Sequence, residues 1–181
     1  ITATPRKYGF HGTIKPPFRL AHGTSFDELR SATADLCRDL GPLSLDGLEL
    51  TRLGRFLALT VTGDTTALAD LAAKVVTSLD AFRAPASEAE LAKRRKANLS
   101  ERQEAYLTQW GYPYVMDEFR FHLTLTGRLQ AEHAKTLHAS LAPVLVHVLP
   151  KPFEIKSLTL VGEDIHGRFH EIESFDLVKT H

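Results

Sequence analysis

Two short stretches of the chain alternate polar and apolar residues with the two-residue period that is typical of a β-strand. They cover residues 8–14 and 119–125, and each contains a histidine with a threonine two positions later. Residues two apart in a strand share a face and lie roughly 6–7 Å apart. Each stretch is therefore expected to place a histidine beside a threonine on one face and apolar side chains on the other.

Basic residues extend both polar faces, so each predicted strand combines an imidazole and a hydroxyl with a cation. The polar side chains of the first stretch and its flanks are Lys7, His11, Thr13 and Lys15, and those of the second are Arg120, His122 and Thr124. Pro16 and Pro17 are expected to end the first strand, because proline cannot donate to a sheet ladder. Together the two stretches offer two imidazoles and two hydroxyls to one phosphate.

The rest of the chain predicts helices and further strands. Apolar residues three and four apart predict helices over 27–40, 66–79 and 130–141. Ser25, followed by Glu28, has the capping-box spacing that opens a helix. Alternating or continuous apolar runs predict strands over 45–52, 55–62, 153–161 and 168–177.

The order of these elements recurs, which indicates an internal duplication. A Gly-Arg-Phe tripeptide occurs at 54–56 and 167–169, where its glycine follows the motif histidine by 43 and 45 residues. We therefore expect one domain made of two halves, 1–83 and 115–181. The segment 84–114 has no counterpart, and two capping-box spacings predict that it is a helical insertion; they are Ser87 with Glu90 and Ser100 with Gln103.

The charges of the chain balance, with 22 basic and 22 acidic residues. A protein built mainly to bind the nucleic-acid backbone is usually basic overall, so this class is disfavoured. Residues 1–26 nevertheless hold four basic residues and no acidic one, which suits a small phosphorylated ligand. The basic run 93–96 keeps RNA open as a less favoured partner. Its other interpretation is a solvated helix face balanced by Glu88 and Glu90.

Cys37 is the only cysteine, so neither a disulfide framework nor a cysteine-based zinc site is expected. No apolar run reaches the roughly 20 residues of a membrane span, and no signal-peptide pattern opens the chain. A cytoplasmic protein without a membrane partner is therefore expected. Because the chain begins at Ile1 without an initiator methionine, a further N-terminal segment is expected ahead of it. The sequence leaves the oligomeric state open.

The histidine–threonine spacing is weak by itself, because His22 and His138 also precede a threonine or serine by two positions. Those two fall in a predicted loop and a predicted helix, respectively. Two other interpretations of the paired motifs stay open: ordinary residues on a solvated sheet face, or metal ligands. Zinc sites use three or four ligands in compact spacing, and no such set occurs, so no metal and no cofactor are expected. A nucleophile elbow and a Walker-type Gly-rich loop are also absent from the sequence.

The residues around both motifs resemble the two-histidine (2H) phosphoesterase superfamily. The resemblance is carried by 5–18 (Pro-Arg-Lys-Tyr-Gly-Phe-His-Gly-Thr-Ile-Lys-Pro-Pro-Phe) and by 110–127, which begins Trp-Gly-Tyr-Pro-Tyr and ends Phe-His-Leu-Thr-Leu-Thr-Gly. These blocks are most similar to the bacterial branch that is encoded with phosphonate-utilisation genes. The resemblance implies an α+β, bilobal fold of duplicated antiparallel sheets with outer helices and a central cleft that holds both motifs.

The resemblance also implies an enzyme, a metal-independent phosphoric diester hydrolase. Its substrate would be a small cyclic phosphodiester, such as a ribose cyclic phosphate formed in phosphonate breakdown. His11 and His122 would be the catalytic acid and base, in an order left open, as is the choice between hydrolysis and ligation. Thr13 and Thr124 would hold the non-bridging oxygens. Further candidates for substrate binding are Lys7, Lys15, Arg120 and Tyr8.

Two alternatives to the cyclic phosphodiesterase remain. One is a non-catalytic protein that binds phosphorylated ligands with the same residues. The other is an RNA-end-processing 2′,3′-cyclic phosphodiesterase, for which the basic run 93–96 is the supporting feature.

Overall fold

The structure, a computed structural model, describes residues 1–179. Within these residues the helices are α1 (Phe26–Asp39), α2 (Thr66–Ser78), α3 (Glu88–Arg95), α4 (Glu101–Trp110) and α5 (Ala131–Leu145). The strands are β1 (Leu43–Leu45), β2 (Gly47–Leu53), β3 (Phe56–Thr62), β4 (His122–Thr124), β5 (Phe153–Ile155), β6 (Ser157–Glu163) and β7 (Phe169–Asp176). Short 3₁₀ turns lie at Pro5–Lys7, Asp80–Phe82 and Met116–Glu118.

The strand pairs of the described residues are all antiparallel. One sheet has the order β2-β3-β4, while β1 pairs with β5 and β6 pairs with β7. The predicted α+β class with antiparallel sheets is confirmed.

Three helices begin at the capping boxes that the sequence predicts. At α1, α3 and α4 a serine side chain accepts from the backbone N–H three residues on, and the glutamate or glutamine there reaches back to the serine N–H. Each box satisfies two backbone donors that the helix cannot pair itself. Helix α4 ends at Gly111, whose φ of 72° is the left-handed conformation that glycine adopts at low cost.

The chain divides into two compact units, each assembled from separated stretches. Unit 1 comprises Ile1–Thr13, Gly41–Thr65 and Phe121–Leu177, and unit 2 comprises Ile14–Leu40, Thr66–Arg120 and, among the described residues, Val178 and Lys179. Each unit therefore contains stretches from both predicted halves, 1–83 and 115–181. The duplicated, bilobal arrangement with a central cleft stays a prediction.

Unit 1 buries one face of its three-stranded sheet against α5. Leu57, Leu129 and Ala134 form the core there, with Leu50, Leu137 and Leu141 packed on it. Leu57 and Leu59 of β3 are buried on this face. Because side chains alternate along a strand, Ala58 and Thr60 lie on the opposite face. That opposite face is where the motif residues lie.

Unit 2 is mainly helical. Its buried side chains include Leu29, Leu36 and Cys37 of α1 and Leu68, Leu71, Ala72, Val75 and Val76 of α2. These positions confirm the helical periodicity predicted for both segments. Burial raises the pKa of the Cys37 thiol, as expected for an apolar setting. Among residues 1–179, no helix combines the length and the apolar character needed to cross a bilayer.

The structure corrects the prediction for the first motif. The expected continuous strand is absent; Lys7 lies in a 3₁₀ turn that opens at Pro5, and Gly9 has a φ of 69°. A proline at the start of a helical turn and a glycine in the left-handed region both interrupt extended backbone. Only Gly12 pairs with a neighbouring strand, through an isolated bridge. The prediction that Lys7 and Lys15 share a strand face with His11 is therefore wrong.

Candidate functional site

The two histidine motifs are adjacent in unit 1. Gly12, in the middle of the first motif, makes an antiparallel bridge with Leu123, in the middle of the second. In antiparallel pairing, residues that flank a bridge on either side also oppose each other, so His11 falls across from Thr124 and Thr13 across from His122.

All four motif side chains consequently share one face. Directly opposed side chains point to the same side of a sheet, and Gly12 and Leu123 occupy the other side. Leu123 is buried there, with 7% of its surface exposed. Diagonal neighbours in such a pair are roughly 7–8 Å apart, so the two imidazoles lie close enough to contact a single phosphoryl group.

The glycine of the first motif is required by packing. A Cβ built on Gly12 would lie 2.3 Å from two ring carbons of Phe121. Phe121 is held in place by Phe153, with ring centroids 6.0 Å apart. The aromatic residue that precedes the second motif therefore covers the backbone of the first, and a side chain at position 12 would displace the Phe121 ring.

His11 is fixed by hydrogen bonds at both ring nitrogens. Nδ1 lies 3.3 Å from the Gly9 carbonyl and Nε2 lies 3.1 Å from Thr13 Oγ1. A carbonyl only accepts, so Nδ1 carries the proton, and in the neutral ring Nε2 accepts from the Thr13 hydroxyl. Thr13, two residues after His11, thus hydrogen-bonds to Nε2 of the imidazole.

Each motif histidine also contacts a phenylalanine in nearly the same geometry. The His122 and Phe56 ring centroids are 5.8 Å apart at an interplanar angle of 48°, and those of His11 and Phe169 are 5.7 Å apart at 47°. Both phenylalanines end the Gly-Arg-Phe tripeptides, and both tripeptide glycines have positive φ, 57° at Gly54 and 71° at Gly167.

Relative to the two predicted halves, 1–83 and 115–181, the aromatic contacts are exchanged. Phe56, from the first half, contacts the second histidine, whereas Phe169, from the second half, contacts the first. Tyr8 completes the first cluster, with its ring centroid 5.9 Å from His11 and 5.7 Å from Phe169. Sequence reasoning did not assign the two phenylalanines to the site, although the recurring tripeptide marked their positions.

The other predicted substrate-binding residues are placed differently. Lys7 is exposed in the 3₁₀ turn of unit 1, and Arg120 belongs to unit 2. Lys15 also belongs to unit 2, where its Nζ donates to the Val76 carbonyl at 3.1 Å and lies 3.6 Å from Asp80 Oδ1. Burial lowers the pKa of Lys15 while the Asp80 carboxylate opposes that shift. This ammonium group therefore satisfies internal acceptors.

The basic run 93–96 is partly committed to contacts within unit 2. The guanidinium carbon of Arg94 lies 4.4 Å from the centroid of the Tyr112 ring. Arg95 donates to Glu104 at 2.6 Å and 2.9 Å. The ion-pair partner of Arg95 is thus Glu104, whereas Glu90, one of the two acidic residues expected to balance the run, pairs with Arg19.

No group of three histidine, cysteine, aspartate or glutamate residues suited to a metal ion occurs among residues 1–179. The site of unit 1 is thus built from two imidazoles, two threonine hydroxyls and aromatic rings. Such a set binds anions through N–H and O–H donors and can move protons at the imidazoles.

The chain is similar to two curated proteins named ribose 1,5-bisphosphate phosphokinase PhnN. The relative from Janthinobacterium sp. (strain Marseille) is 39% identical over 171 residues, which cover 92% of this chain and 38% of the relative. The relative from Laribacter hongkongensis (strain HLHK9) is 34% identical over 127 residues, or 70% of this chain and 29% of the relative. The chain thus spans about a third of the length of these relatives.

The names of these relatives contradict one prediction. A phosphokinase transfers a phosphoryl group, so it is a transferase, whereas the sequence led us to expect a phosphoric diester hydrolase. The prediction of a cyclic phosphodiesterase is therefore wrong on this comparison. Membership of the two-histidine superfamily stays a prediction.

A family profile matches residues 13–170, which is most of the chain, and its description is "Protein of unknown function (DUF1045)". The match covers Thr13 and the whole second motif, together with the strands and helices between them. The chain therefore belongs to the DUF1045 family.

Proposed function

We propose that this chain binds a phosphorylated ribose for an enzyme of phosphonate metabolism. The names of the two relatives support the sugar phosphate and the link with phosphonate metabolism. The chain covers only part of each relative and contains no Walker-type Gly-rich loop, so the proposal assigns to it the sugar phosphate and not a nucleotide.

The bridge between Gly12 and Leu123 is the observation that carries the proposal. It supports a single anion site, because it aligns His11, Thr13, His122 and Thr124 on one sheet face. Phosphate oxygens accept hydrogen bonds from imidazole N–H and hydroxyl groups, and bonds to a charged acceptor are shorter and stronger than neutral ones. Thr124 acts as a donor for the non-bridging oxygens, and Thr13 becomes one when its hydroxyl turns from His11 Nε2 to the phosphate.

Within this proposal, His11 and His122 are the groups that exchange protons with the bound phosphate. The Nδ1–H of His11 is engaged by the Gly9 carbonyl, so a ligand oxygen would bind at Nε2, in exchange for the Thr13 hydroxyl that contacts this nitrogen. An imidazole in this position either donates a proton to the phosphate or accepts one from it during phosphoryl transfer.

Titration calorimetry with ribose 5-phosphate and ribose 1,5-bisphosphate tests the proposal. The wild-type chain should bind both compounds, and free ribose should not compete with them. The variant with His11→Gln and His122→Gln should lose at least tenfold in affinity for each. His133→Gln, an exposed position on α5, is the matched control and should bind like the wild type.

Two results would contradict the proposal. One is a wild-type chain that binds neither ribose phosphate. The other is a double variant that folds normally and keeps the wild-type affinity.

A further inference from the structure

The polar face that carries His122 continues across the sheet onto β3 and β2. In the register of β3 and β4, Thr60 lies directly opposite His122, and in that of β2 and β3, Glu49 lies opposite Thr60. Directly opposed residues share a face, so these three side chains form one row. Neighbouring strands are about 4.8 Å apart, which places Glu49 about 10 Å from His122.

Two threonine hydroxyls occupy the middle of this face. Thr51 Oγ1 and Thr60 Oγ1 are 2.5 Å apart, so one donates to the other. A hydroxyl has one hydrogen and two lone pairs. Together the two threonines therefore have one hydroxyl hydrogen and several lone pairs left to bind a ligand. Their mutual hydrogen bond fixes the positions of the two oxygens.

Glu49 gives the far end of the row a different chemistry. Its side chain is exposed, and within residues 1–179 its carboxylate makes no hydrogen bond or ion pair. An ionised carboxylate only accepts hydrogen bonds and repels a phosphate. The row is thus polarised, with donors for an anion at the histidine end and an acceptor for hydroxyl groups at the glutamate end.

We propose that Thr51, Thr60 and Glu49 form a subsite for the hydroxyl groups of the ligand. The proposal rests on the proposed function, because it takes the histidine end as the phosphate site. Its ligand is a phosphorylated pentose or similar polyol that presents hydroxyl groups, not a second phosphate, to β2. A carboxylate that accepts from neighbouring sugar hydroxyls distinguishes such a ligand from inorganic phosphate.

The test compares the affinities of three ligands: inorganic phosphate, ribose 5-phosphate and 2-deoxyribose 5-phosphate. The wild type should bind ribose 5-phosphate more tightly than the other two. Glu49→Gln should lower the affinity for ribose 5-phosphate about tenfold. The same variant should bind inorganic phosphate at least as well as the wild type, because a negative charge has been removed. Thr60→Val should likewise lower the affinity for the two sugar phosphates and leave the affinity for inorganic phosphate unchanged.

Glu132→Gln is the control for a change of charge alone. Glu132 is exposed on α5, which packs on the other face of the sheet. Equal affinity of the wild type for phosphate and ribose 5-phosphate would overturn the subsite and leave the proposed function standing. Equal losses for both ligands in Glu49→Gln would also overturn it. A wild type that binds none of the three ligands would overturn both proposals.

Discussion

Phe169 packs its ring against the imidazole of His11, with the ring centroids 5.7 Å apart. Tilted aromatic contacts of this kind contribute about 0.5–1.5 kcal/mol beyond the burial of area. The hydrogen bonds of His11 to Gly9 and Thr13 fix the ring in its plane, and the phenylalanine restricts its rotation out of that orientation.

Phe169→Leu should therefore loosen His11 and leave His122 unchanged. The loss of the ring contact should weaken binding of ribose 5-phosphate about two- to tenfold. In ¹H–¹⁵N spectra of the imidazoles, only the His11 resonances should shift. Phe56→Leu is the matched variant and should shift only the His122 resonances, because Phe56 contacts His122 and not His11. A shift of both histidines in either variant would contradict this exchange.

Gly12→Ala should destabilise unit 1. The added methyl group would enter the ring of Phe121, and overpacking of this kind costs about 1–3 kcal/mol. Chemical denaturation should show the loss, and the affinity for ribose phosphates should also fall, because the displaced Phe121 immediately precedes His122. Adding Phe121→Leu should recover part of the stability, because the smaller side chain makes room. Independent, additive effects of the two substitutions would show that the contact is not the cause.

Lys15→Met should affect stability without affecting the phosphate site. The substitution leaves the Val76 carbonyl and Asp80 without the ammonium donor, at a cost of about 1–3 kcal/mol. Denaturation should reveal that cost, while calorimetry at a temperature where the variant is folded should give the wild-type affinity for ribose 5-phosphate. A large loss of affinity in the folded variant would instead assign Lys15 to the ligand.

The turn between β6 and β7 should open at low pH. Asp164 accepts from His170 Nε2 at 2.9 Å and from the backbone N–H groups of His166 and Arg168 at 2.8 and 2.9 Å. These bonds, above all the one from His170, lower the pKa of Asp164 to about 2. A carboxyl group whose pKa is lowered by folding stabilises the folded form above its ordinary pKa and loses that effect as the pH falls.

Amide chemical shifts of His166 and Arg168 should therefore stay constant down to about pH 4 and change as the pH approaches 2. In Asp164→Asn the same amides should show no such change in that range. A transition of the wild-type amides well above pH 4 would contradict the lowered pKa.

The sequence predicts much of the helical structure because the helix signals are local. The serine-led capping boxes and the apolar spacing within α1 and α2 depend on neighbours only a few residues away. The backbone of the first motif was not predicted correctly, because its alternation of polar and apolar residues fits a strand. Pro5 opens a 3₁₀ turn and Gly9 has a positive φ, and both interrupt the extended backbone. The three-residue strands β1 and β5 pair with each other across more than 100 residues, and nothing in either stretch signals the other.

The candidate site was predictable in part, because the two motifs are also local signals. The motif histidines and threonines could be found from their repeated context. The contacts of the histidines with Phe56 and Phe169 join residues that are 66 and 158 positions apart in the chain. The tripeptide marked the positions, but only the tertiary structure shows that the contacts are exchanged. Lys15 could not be excluded from the site by sequence alone, because its contacts with Asp80 and the Val76 carbonyl are visible only in the folded structure.

The interleaving of the two units has a consequence for the order in which the protein is made. Gly12 cannot find Leu123 until 111 further residues have been synthesised, so the first motif leaves the ribosome long before its partner strand exists. Unit 1 also needs β7, which ends at Asp176 and supplies Phe169 to His11. The site can thus form only after residues up to the end of β7 have been synthesised, and a nascent chain cut before β4 should carry His11 without a site.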